Sequence, residues 1–311
     1  MPRAPEIALI LTLAAMPAAG DVAYVTCQNG DAMSVFDLDT GEELHRIAVP
    51  GKPAGVAVSA RSGVWTVSPD SKVVRRYSPA GEVQAEVVLD GGPIGIALDE
   101  ARGRVFVSDW YDARIWVLDA VTLAVVDHLP TGAAPAGLAL SGDGAYLAVA
   151  EKDADRVSIF DAGTLAPVHV VTVGTRPFGL RFAPDGRLFV GNVGSNDLSV
   201  IDPATGGILA TVPVGERPYG VAFAAGKAFV TNQYANSVSV VSLDGLAALG
   251  TVEVGEYPEG IDHTSDGRIA VANWFDNTLT LIDAETLEVV GTLDTADGPR
   301  AFGRFIAEGD K

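Results

Sequence analysis

Seven prolines, Pro53, Pro93, Pro135, Pro177, Pro218, Pro258 and Pro299, recur at intervals of 40 to 42 residues, each followed closely by a glycine and a short apolar run. A self-similar unit of that length cannot bury its own faces and must stack on copies of itself. No unit sustains the period of an amphipathic helix. What recurs are β-rich runs separated by Gly, Pro, Asp and Asn, the pattern of short antiparallel strands. In the fifth unit the expected strands cover 179–183, 188–192, 198–202 and 208–214, with turns at 184–187 and 203–206. The expected fold is therefore all-β: a seven-bladed β-propeller with four antiparallel strands per blade.

The turns repeat with their chemistry. Asp-x-x-Thr follows the third strand at Asp37, Asp119, Asp161, Asp202 and Asp283, paired with Thr40, Thr122, Thr164, Thr205 and Thr286. Side chains of this kind bond nearby backbone donors and fix a tight reversal, so these acids read as structural. The chain ends also suit a ring. The first unit, beginning at Ala23-Tyr-Val-Thr, lacks an innermost strand, while Pro299 is followed by Phe302-Gly-Arg-Phe-Ile-Ala307. The C-terminal segment is expected to join the N-terminal blade and close the ring, which leaves only short edges.

The second strands read Tyr24-Val-Thr-Cys27, Phe106-Val-Ser-Asp109, Phe189-Val-Gly-Asn192, Phe229-Val-Thr-Asn232 and Ala270-Val-Ala-Asn273, and a third strand reads Ser237-Val-Ser-Val-Val241. In these motifs the chain resembles the YVTN-type β-propeller repeat proteins over nearly everything after residue 20. The resemblance implies the propeller fold; it implies no single function, since such propellers include surface-layer proteins, periplasmic proteins and relatives of quinoprotein dehydrogenase systems.

Residues 1–20 read as a secretory leader: Arg3, an apolar run from Ile7 to Ala15, and a small-residue exit to Gly20. That run is too short to span a bilayer, so no membrane span is expected and the propeller is assigned to 21–311, periplasmic or secreted after cleavage. The lone cysteine, Cys27, has no internal partner and sits where other repeats carry Asp or Asn. That place is near one rim of the ring, and either a reactive thiol or a bland rim residue suits it.

A formal net charge of −19 argues against nucleic acid as a partner. Against that background the cations cluster. Lys52, Arg176 and Arg217 directly precede repeat prolines and Arg300 follows one, while Arg181 and Arg304 are read as sharing a place in the innermost strand where other repeats have alanine or Asp262. The proline turns and the second-to-third-strand turns are expected on one face, around the channel mouth. Lys52, Arg176, Arg181, Arg217, Arg300 and Arg304, with Phe178, Tyr219 and Trp274 as flat walls and Asp262 and His263 between them, would there hold an anionic small molecule, a cofactor of unknown identity or a partner protein. The other reading has these arginines pairing with nearby acids such as Glu216, Glu256 and Asp262, and the aromatics packing on the next blade.

His45, His128 and His169 fall on separate outermost strands, and His263 beside Asp262 makes neither a triad nor a metal set. No catalytic or metal-ligating residue is assigned. The expected function is an exported, non-catalytic binding or accessory propeller; the alternative is a periplasmic enzyme, a lyase, lactonase or oxidoreductase, working at the same mouth.

Overall fold

The computed structural model describes residues 20–309. They form seven four-stranded antiparallel blades in a ring, as the repeat period requires. Blades 2 to 7 cover residues 55–88, 93–130, 135–172, 177–213, 218–253 and 258–294. Blade 1 combines the ends of the chain: Ile306–Ala307 pairs with Val22 and Ala23 of Val22–Cys27, which continues into Ala32–Asp37 and Glu43–Ala48. The expected closure is present. The leader lies outside the described residues, except for Gly20.

Burial follows position in the blade. Second strands such as Leu188–Asn192 are buried on both faces because each blade is covered by a neighbour on either side, whereas outermost strands such as Val125–Pro130 lie mostly in water. The core consequently lies between blades. Phe189, Leu198 and Val200 of blade 5 pack against Val221, Phe223 and Val230 of blade 6, and equivalent sets recur around the ring. Burying one such large side chain contributes about 1.5–3 kcal/mol.

The proline-glycine repeat has a steric cause. Each innermost strand from blade 3 to blade 7 carries a register shift just after its proline, as between Pro177 and Leu180. The glycine at that bulge faces the next blade's backbone. A Cβ on Gly137 would stand 2.5 Å from the carbonyl oxygen of Phe178, and the same clash with a neighbouring carbonyl recurs at Gly179, Gly260 and Gly303. No side chain fits where seven inner strands converge. Residues before the proline, including Lys52, Arg176, Arg217 and Tyr257, take left-handed backbone with φ of 55 to 61°. An Asp or Asn 21 residues earlier in the chain holds each one: Asp155 Oδ1 accepts from Arg176 N at 2.7 Å, and Asn196 Oδ1 from Arg217 N at 2.9 Å.

The Asp-x-x-Thr turns behave as expected. Asp119 Oδ1 accepts from Val121 N, Thr122 N and Thr122 Oγ1. Hydrogen bonds from the Thr122 backbone and hydroxyl hold its carboxyl below the ordinary range.

Deleting residues 299–311 removes the innermost strand of blade 1 and the parallel pairing of Phe302–Gly303 with Gly55 and Val56. The truncated chain is expected to melt in one transition well below the full-length protein; calorimetry showing a midpoint within about 3 °C of the intact chain would contradict closure by this segment.

Candidate functional site: the two ends of the channel

Each innermost strand starts at its proline on one face of the ring and ends on the other, so its first and last residues serve opposite ends of the channel. At the proline end the residue between proline and glycine points inward. Phe178 and Tyr219 meet there with Phe302: ring centroids are 4.3 Å apart for Phe178 and Tyr219, 5.1 Å for Phe178 and Phe302, and Trp110 lies 6.0 Å from Phe178. All three central rings are buried. They fill the channel instead of standing open as walls.

Arg300 secures this plug. Its Nη2 donates to Tyr219 Oη at 2.7 Å, Nη1 to Gln28 Oε1 at 3.1 Å, and Nε lies 3.2 Å from Glu259 Oε2. Burial pushes the Glu259 carboxyl up; the Arg300 charge and the bond from Gln233 Nε2 work against that rise. Tyr219 is raised above the usual phenol range chiefly by burial. Arg300 thus joins blades 1, 6 and 7.

A second clasp lies deeper. Asp262, fully buried, accepts from Arg181 Nη1 at 2.6 Å and His263 N at 3.0 Å through Oδ1, and from Phe305 N at 2.8 Å and Ile306 N at 3.0 Å through Oδ2. Arg181 Nη2 also donates to Gly303 O at 3.2 Å. Burial alone would raise the Asp262 carboxyl, but the Arg181 guanidinium, the hydrogen bond from His263 and the charge of Arg304 together hold it far below the ordinary carboxylate range. Arg181 reaches it from blade 5, two blades away in the ring. The shared place assigned to Arg181 and Arg304 needs correction. Gly303 occupies the site of Gly179, each facing a neighbouring carbonyl, so Arg304 stands one residue out of step with Arg181. The Arg181 side chain is 14% exposed and that of Arg304 57%.

Beyond this clasp the channel widens into a funnel at the far end. Two depressions of about 590 and 390 Å³ share Leu140, Ser141, Gly142, Arg181 and Arg304; Val58, Leu98 and Phe182 contribute apolar wall, and His263 lines the larger one. Arg304 Nη2 lies 3.2 Å and His263 Nε2 3.4 Å from the same oxygen, Oε1 of Glu308.

The structure therefore divides the candidates that the sequence groups at one mouth. Arg304 and His263 face the funnel. Arg181, Asp262, Arg300, Tyr219 and Phe178 hold the ring together. Lys52, Arg176, Arg217 and Trp274 lie among the proline-end turns, where Lys52 Nζ reaches Asn29 O at 3.4 Å and the Arg217 guanidinium covers Tyr234. The side chains at the second-strand exits are likewise not mouth groups. Asp109, Glu151, Asn192, Asn232 and Asn273 are fully buried and bond within their own blades, as Asn273 Nδ2 does to Thr278 Oγ1 and Thr280 Oγ1 at 3.0 and 2.8 Å. Cys27 occupies the matching place in blade 1, fully buried, and burial pushes its thiol up to about 11, which leaves it an unreactive thiol at neutral pH. Among the described residues no cluster of His, Cys, Asp and Glu is placed to hold a metal ion, and no helix is long and apolar enough to cross a membrane.

No protein-family model and no curated protein matches the chain. Among solved structures it is similar to a functionally unknown protein from Desulfotomaculum acetoxidans, with TM-score 0.78 and 16% identity over 93% of this chain and 99% of that one. It is also similar to Kuenenia stuttgartiensis hydrazine synthase, with TM-score 0.74 and 17% identity over 88% of this chain and 98% of that one. Likeness at such identity carries the fold alone.

Asp262→Asn removes the charge facing Arg181 and is expected to cost about 3–5 kcal/mol at neutral pH, the usual penalty for stranding one member of a buried pair. Because the folded-state carboxyl is depressed, the Asp262 contribution is complete above the unfolded value of about 3.9 and is lost as pH falls through the folded one. Melting curves should show the gap between wild type and variant narrowing only below about pH 4; a gap that is small at pH 7, or constant down to pH 2, would contradict the clasp.

Proposed function

We propose that this chain is an exported binding or accessory propeller of the YVTN type, periplasmic or secreted, that holds an organic carboxylate in the funnel opposite the proline turns. The resemblance in the second-strand tetrapeptides and the leader over residues 1–20 support the family and the location. One observation carries the ligand class: two side chains from separate elements meet at a single carboxylate oxygen, supplied here by the chain's own Glu308, to which Arg304 Nη2 donates at 3.2 Å while His263 Nε2 approaches to 3.4 Å. A ligand carboxylate that displaced Glu308 would inherit the Arg304 donor and the approach of His263, while Val58, Leu98 and Leu140 would receive its apolar part. Arg181 contributes field but is committed to Asp262, so it positions the wall and does not grip.

Calorimetric titration with citrate and phenylacetate tests this reading. Arg304→Ala is expected to weaken binding roughly tenfold, the low end for a charge-assisted bond because the side chain is more than half exposed, with an unchanged melting temperature. Glu308→Ala should tighten binding by removing the internal competitor. Loss of stability in Arg304→Ala without any effect on the anions, or weaker binding in Glu308→Ala, would refute the assignment.

A further inference from the structure

The proline face carries the opposite chemistry. Between blades 6 and 7, Tyr234, Tyr257 and Phe275 wall a groove of about 590 Å³ that Glu216 and Glu256 also line. Tyr257 forms its base, with ring centroids 5.7 Å from Tyr234 at 44° and 5.1 Å from Phe275 at 68°. The rings therefore make a corner, not a stack. The backbone fixes that corner: Tyr257 N donates to Asn236 Oδ1 at 3.1 Å, Tyr234 N to Glu216 O at 3.3 Å and Phe275 N to Glu256 O at 3.2 Å. Two successive repeats thus present the same pair, a glutamate on the proline turn and an aromatic ring on the adjoining turn. Tyr234 is 55% and Phe275 60% exposed, and the two rings line one groove instead of standing as scattered side chains. No ion pair or side-chain hydrogen bond occupies either glutamate among the described residues.

Tyr234 shows what such a ring accepts. The Arg217 guanidinium carbon lies 4.4 Å from its centroid, in a neighbouring depression that Tyr234 and Glu216 line as well. One ring is thus already used by a cation, and the adjoining groove has no cation of its own among the residues that line it.

The geometry points to a binding site in this groove for a small organic cation of the quaternary ammonium class. Electron-rich ring faces attract a diffuse positive charge, and its methyl groups bury against them with little loss of hydration. Glu216 and Glu256 supply the opposite charge and repel anions, so the site is distinct in ligand and in place from the funnel at the other end of the channel. Neither reading depends on the other.

Calorimetry with choline, and with 3,3-dimethylbutan-1-ol as the neutral compound of the same shape, tests the site. Trp274 fluorescence gives a second readout, since its ring lies 5.5 Å from that of Tyr257 and 4.9 Å from that of Phe275. Choline is expected to bind saturably and at least about tenfold more tightly than the neutral alcohol. Phe275→Ala and Glu256→Gln, both changes at exposed side chains, should each weaken choline with little change in melting temperature, whereas Arg304→Ala should leave choline binding intact. Equal affinity for the alcohol, a preference for glucose over choline, no saturable choline binding, or indifference to both groove variants would overturn the proposal.

Discussion

The ring depends on one buried carboxylate. A propeller whose two ends meet in a single blade has a seam there, and in this protein Ile306–Ala307 pairs with the first strand at Val22 and Ala23, Tyr24 N donates to Phe305 O at 2.8 Å and Arg300 N to Thr26 O at 2.7 Å. Asp262 reinforces that seam from the side, taking the amides of Phe305 and Ile306 on one oxygen and the guanidinium of Arg181 on the other. Such a fully buried anion is tolerable because each oxygen is satisfied; leaving either partner alone would strand a charge or two backbone donors. Arg300 repeats the principle nearer the proline face. Between them the two clasps draw blades 1, 5, 6 and 7 together across the channel, alongside the buried rings of Phe178, Tyr219 and Phe302.

This arrangement also decides what the channel offers to solvent. Aromatic rings fill one end and the Arg181–Asp262 pair crosses the middle, beside a small void of about 40 Å³. The molecule therefore presents two separate surfaces. The funnel combines an apolar wall with the acids Glu100, Asp143, Asp185 and Asp202 and has Arg304 and His263 at its side, whereas the proline face is aromatic with glutamates that have no ion-pair partner among the described residues. A strongly acidic chain can carry ligands of either sign because each site is set by local groups within a few ångströms, not by the net charge.

Features governed by local sequence were legible. Proline spacing, the glycine after it and the Asp-x-x-Thr turns each act over a few residues, so the blade, the count and the closure by Phe302–Ala307 follow from the chain alone. The site was legible only in part. Arg181 stood out because other repeats have alanine there, yet its partner lies 81 residues away and two blades on; no local pattern distinguishes a strut from a ligand-binding arginine. Arg304 is not equivalent to Arg181 even when counted from the prolines, standing five residues after Pro299 where Arg181 stands four after Pro177, and the packing of Gly303 sets the true register. Asn192, Asn232 and Asn273 sit at turns by sequence but face their own blades' hydroxyls, which depends on a strand twist that residue order does not display. The aromatic corner of Tyr234, Tyr257 and Phe275 could have been noticed as the repeated glutamate and ring in two consecutive units.

Amide hydrogen exchange at Phe305 and Ile306 tests the central claim most directly, because these two donors exist in the fold to serve Asp262. If the carboxylate locks the ring, both amides exchange only through global unfolding, at the same rate as amides in second strands such as that of Phe189, and they accelerate selectively when Asp262 is replaced. Exchange of these two amides at the rate of exposed turns, in a protein whose second strands remain protected, would show that the seam opens on its own and that the clasp does not hold the ring.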